Sequence, residues 1–194
     1  VAKKLAKRPD ASTIIHAFEE EHIKNRFGLT YEETLIWGLT INALKCPLDE
    51  RLEYLKAYIP VLDNWAVCDS FCCNAKWAMK VPSQTLWGFL LPYFQSKQEF
   101  EVRFAIVMSM IYFLDCEMFP EVARRLDSLE LSRIHSEYMS PKEARNATQV
   151  KGVAKGESPY YVRMAVAWLL ATALAKIPDQ TREYVNHCRL PEDV

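Results

Sequence analysis

Val102-Arg103-Phe104-Ala105-Ile106-Val107 and Val162-Arg163-Met164-Ala165-Val166-Ala167 match position for position in character. Each lies in a strongly apolar segment with helical periodicity, Glu99 to Leu114 and Tyr160 to Lys176. Two copies of one helix imply an internal repeat. Their offset of 60 residues exceeds the roughly 40 of a common helical repeat. The excess falls in Ser128 to Ser158, which has few large apolar residues and contains Gly152 and Gly156. That stretch reads as an insertion. The remainder reads as an all-α helical-repeat solenoid of antiparallel helix pairs.

The flanking sequence supports this. Tyr31 to Lys45 sets Leu35, Leu39 and Asn42 beside Ile36, Thr40 and Ala43 on neighbouring helical ridges, and Cys46-Pro47 ends the helix. Leu52 to Ile59 repeats the pattern, with Asp49 and Glu50 as an acidic first turn. Pro60 interrupts it, and Asp63 or Asn64 can cap a new helix starting near Trp65. Ser83 to Phe94 is a further helix, and Pro82, Pro92, Pro120, Pro159 and Pro178 punctuate the chain. One repeat domain over 1–194 is expected. Because Val1 to Lys7 already reads as helix, the chain is expected to be a fragment of a slightly longer one.

Composition narrows the class. Half the residues are apolar and 25% are charged, which suits a globular core and excludes bulk disorder. Only five glycines occur, too few for the turns of an all-β fold. The longest apolar runs, such as Ala165 to Ala175, fall short of a bilayer span, so no membrane partner is expected. Cys46, Cys68, Cys72, Cys73, Cys116 and Cys188 form no CxxC pair, and the four histidines have no ligand spacing. No metal site is expected, and the cysteines read as free thiols of a reducing cytoplasm. The net charge of −1 does not suggest a nucleic-acid binder. Any DNA contact must gather its cations on one face. Pro141 to Gly156 is such a gathering, with Lys142, Arg145, Lys151 and Lys155 against Glu143 alone. It is either a basic arm beside DNA or a solvated loop.

Three segments carry candidate chemistry. In Asn64-Trp65-Ala66-Val67-Cys68-Asp69-Ser70-Phe71, Trp65 and Asp69 are four apart and share a helical face. An indole π face beside a carboxylate can hold a cation, although a core Trp with a capping Asp has the same spacing. Arg103 within an apolar helix must reach an acid, solvent or a phosphate. Trp168 sits in an equally apolar helix, where packing is the ordinary role.

Together with Glu99-Phe100-Glu101-Val102-Arg103-Phe104-Ala105 and Tyr160-Tyr161-Val162-Arg163-Met164-Ala165-Val166-Ala167-Trp168, that first motif resembles the DNA alkylation repair family. These are AlkD-like alkylpurine DNA glycosylases built from HEAT-like repeats. The resemblance runs from the first helix to about Arg189. It implies a concave DNA-binding face, a catalytic carboxylate at Asp69, pocket tryptophans at Trp65 and Trp168, and a phosphate-facing Arg103. The family's basic terminal helix pair has no counterpart before Val194, and the insertion is foreign to the pattern.

The implied activity is hydrolysis of the N-glycosidic bond of cationic N3- or N7-alkylated purines in duplex DNA, without a cofactor. The alkylated base is already a good leaving group, so the reaction calls for fixed negative potential beside an oxocarbenium-like sugar. Asp69 supplies it, with Trp65 and Trp168 against the lesion sugar. The family further implies that the damaged base is not extruded into the protein. A monomer at the nucleoid of a bacterial cytoplasm is expected. A non-catalytic binder of unusual DNA and a protein-binding HEAT-like scaffold are the competing readings.

Overall fold

The computed structural model describes residues 1–24, 28–136 and 159–190. Among these the chain is helical throughout, and the only β-type pairing is an isolated bridge between Gln98 and His135. No helix among them is long and apolar enough to cross a membrane. Where the sequence suggests one repeat domain, contacts divide the chain into two compact units, Val1–Leu86 and Trp87–Val194.

The first unit contains α1 (Ala2–Leu5), α2 (Ala11–Lys24), α3 (Tyr31–Ala43), α4 (Leu48–Tyr58) and α5 (Trp65–Asn74). Thr30 starts α3 through a capping box, its side chain accepting from the Glu33 N–H while Glu33 accepts from the Thr30 N–H. Leu44 ends it, earlier than the sequence suggests, because Pro47 cannot continue a helix. Pro47 then serves as the N-cap of α4, which begins at Leu48 and carries Asp49 and Glu50 in its first turn, as the sequence suggests. Helix α3 packs between α1 and α5, while α2 and α4 pack on α3 and on each other. Alternate helices thus lie side by side in this unit.

Trp37, Tyr58 and Phe71 form its aromatic core, with ring centroids 5.3 Å and 5.1 Å apart for successive pairs. All three are buried. Gly38 allows this packing, since a Cβ there would overlap both the hydroxyl and the ring of Tyr58. Overpacking of this kind costs about 1–3 kcal/mol. Gly38→Ala is expected to lower the melting temperature by several degrees, and Tyr58→Phe should restore only part of it. An unchanged melt would show that Tyr58 can move aside.

The second unit takes in most of α6 (Ser83–Phe94), then α7 (Glu99–Tyr112), α8 (Phe119–Asp127), α9 (Tyr160–Lys176) and α10 (Pro178–His187). Helix α7 is its axis, with every residue from Val102 to Met110 buried. Over that stretch only Arg103 and Ser109 are polar, and a helix so largely apolar is covered on all sides. It packs chiefly against α9, and α9 also contacts α10. Pro120 and Pro178 stand in the first turns of α8 and α10, so they open helices rather than break the chain. Pro92 falls in the last turn of α6, which ends two residues later.

The chain that follows α8 is tied to the unit. Leu131–Arg133 forms a 3₁₀ turn, and the His135 N–H donates to the Lys97 carbonyl at 2.6 Å. The basic segment with Lys142, Arg145, Lys151 and Lys155 lies outside the described residues.

Candidate active site

Asn64, not Asp69, caps α5, its side chain accepting from the Val67 N–H at 2.9 Å. The helix buries Val67, Cys68, Phe71 and Cys72. Trp65, in the first turn at the edge of that buried face, is 52% exposed. One turn on, Asp69 is half-buried. A core tryptophan with a capping aspartate is therefore not what this pair is. The face carries an accessible indole one turn from a carboxylate, both fixed by a helix whose other side is anchored in the core.

A third residue extends the stripe. Cys73, eight residues after Trp65, is exposed. Partial desolvation of its sulfur against the helix and the Asp69 carboxylate both push its thiol above the ordinary range. At i, i+4 and i+8, Trp65, Asp69 and Cys73 follow one another along the helix. The sequence reading passed over Cys73, although the same spacing that paired Trp65 with Asp69 points to it.

In the second unit, Arg103 and Trp168 have different surroundings. Arg103 is 5% exposed. Its Nη1 donates to the Tyr161 carbonyl at 2.7 Å, and its guanidinium stands 6.0 Å from the Tyr161 ring centroid. So placed, it offers little surface to a phosphate, and what it does is hold the first turn of α9. Trp168 is 41% exposed, one turn beyond the exposed Met164. The other side of α9 buries Val162, Ala165, Val166, Leu169 and Ala173. Trp168 is thus a surface aromatic on a helix seated by its apolar face.

Glu99 completes the attachment of α9. Pro159 gives that helix no side-chain cap. The Glu99 carboxylate takes the role from α7, accepting from the Tyr161 N–H at 2.6 Å and from the Ser136 hydroxyl at 2.6 Å. Glu99 and Arg103, one turn apart on α7, therefore engage the N–H and the C=O of a single residue. Nothing in the sequence links them to Tyr161, but their own spacing was visible.

Burial pushes the Glu99 carboxyl above the usual carboxylate range, opposed by Ser136, the Tyr161 and Val162 N–H groups and the Arg103 charge. A carboxyl raised in the folded state contributes stability that is full below its unfolded pKa and lost as pH rises through the folded value. The melting temperature of the wild type relative to Glu99→Gln should accordingly be highest in acid and decline across the mildly acidic range. A rising difference would mean that the hydrogen bonds and Arg103 outweigh burial.

No family model, curated protein or solved structure gives a match to this chain.

Proposed function

We propose that this protein is a DNA glycosylase that removes cationic alkylated purines, built from HEAT-like helix pairs. The observation that carries the reading is the Trp65–Asp69 face of α5, an exposed indole one turn from a half-buried carboxylate. Asp69 supplies a fixed negative charge beside the sugar as the glycosidic bond breaks. Trp65, one turn before it on the same helix, supplies an aromatic face for the cationic nucleotide. Asp69 also orients the attacking water. Arg103 acts as a positioning residue for the helix that bears Trp168, since its guanidinium is engaged with Tyr161. The side-by-side packing of alternate helices in the first unit supports the repeat reading, as do the matched segments of α7 and α9.

At about 4 Å and an effective dielectric near 20, a carboxylate–cation contact is worth about 4 kcal/mol. Realised wholly in the transition state, that corresponds to about a thousandfold in rate. The balanced charge of the chain, −1, favours a second reading as a protein-binding helical scaffold. An end-labelled duplex with one N-methylated purine separates the two. The glycosylase leaves abasic sites that alkali converts to strand breaks, and a scaffold leaves the duplex intact.

A further inference from the structure

A cavity of about 450 Å³ lies within the first unit, lined by the end of α3, the start of α4 and the 3₁₀ turn Lys76–Lys80. Lys45, Lys76 and Lys80 line it, and no Asp or Glu does. All three lysines are exposed, and none forms an ion pair among the described residues. The sequence around two of them is free of acids from Ser70 to Gln98.

The wall behind them is held in place by hydrogen bonds. Trp77 Nε1 donates to Asn42 Oδ1 at 2.7 Å, and Asn42 Nδ2 donates to the Phe71 carbonyl at 2.8 Å. The Arg51 guanidinium stands 5.3 Å from the centroid of the Trp77 ring. Arg51 is also the donor to the Ile41 and Leu44 carbonyls at the end of α3. Its charge offsets the negative end of that helix, which leaves the three ammonium groups as unneutralised positive charge over the pocket. The neighbouring Glu50 is taken up by the Tyr54 hydroxyl at 2.7 Å.

We propose that this pocket binds a phosphate group, held by Lys45, Lys76 and Lys80 against the Trp77–Asn42 wall. Flexible ammonium groups suit a phosphate because they act as point charges and demand no fixed approach angle. The group can come from a nucleic-acid backbone or from a free phosphomonoester. The proposal does not rest on base excision at Asp69.

The test follows the Trp77 indole N–H by NMR while inorganic phosphate, deoxyadenosine 5′-monophosphate and a short undamaged duplex are added in turn. Saturable movement of that signal with one or more probes is expected. The triple variant Lys45→Gln/Lys76→Gln/Lys80→Gln should weaken it about tenfold or more. Arginine at the same three positions should preserve it, and so should Lys56→Gln, which alters a lysine paired with Glu53 elsewhere in the unit. Saturation by the duplex alone assigns the pocket to backbone phosphate. Saturation by the small phosphates as well assigns it to a phosphomonoester. No saturation with any probe, or equal binding by the triple glutamine variant, overturns the proposal. Because the duplex carries no lesion, the outcome is independent of whether the protein excises bases.

Discussion

Asp69→Asn is expected to slow base excision by about 10²- to 10³-fold, the loss of one electrostatic contact to the developing sugar cation. The fold should survive, because the buried side of α5 is made by Val67, Cys68, Phe71 and Cys72. The cap of that helix is Asn64, so the substitution leaves helix initiation untouched. DNA affinity should change little, since a carboxylate contributes nothing attractive to phosphates. Measured under single-turnover conditions, the effect belongs to the chemical step alone. An unchanged single-turnover rate would remove Asp69 from the mechanism.

Arg103→Ala should be the most destabilising substitution considered. Its guanidinium is buried and donates to the Tyr161 carbonyl. A hydrogen bond to a charged group together with the stranded carbonyl puts the loss at about 3 kcal/mol. For a chain of this size that lowers the melting temperature by roughly 6–12 °C. Glu99 loses a nearby positive charge at the same time, which raises its carboxyl further. Because the side chain is turned to α9, the salt dependence of DNA binding should stay as in the wild type. A phosphate-facing arginine gives the reverse pattern, a reduced salt slope with an unchanged melt. One thermal melt and one salt titration decide between the two.

Most of the helical framework was legible before the structure. Scarce glycine and strong 3.6-residue periodicity pointed to helices, and α5, α6, α7 and α9 start where the pattern begins. Helices α8 and α10 were hidden because Pro120 and Pro178 read as breaks. A proline in a first turn costs no hydrogen bond, so the same residue can open a helix. The surface position of Trp65 and Trp168 was not legible, since apolar neighbours in sequence do not say which side of a helix is covered. Arg103 illustrates the same limit from the other side. An arginine in an apolar helix must find a partner, but Tyr161 lies 58 residues away along the chain, and only tertiary packing of α7 on α9 supplies it. The lysine pocket joins Lys45 to Lys76 and Lys80 across α4 and α5, a grouping that no local pattern contains.

The measurement that tests the central claim most directly is chromatography of the bases released when the protein is incubated with methylated duplex DNA. Free 3-methyladenine or 7-methylguanine should appear with the wild-type protein and fall by about two to three orders of magnitude with Asp69→Asn. Methylated DNA that binds the protein yet yields no free base above the spontaneous background would contradict glycosylase activity.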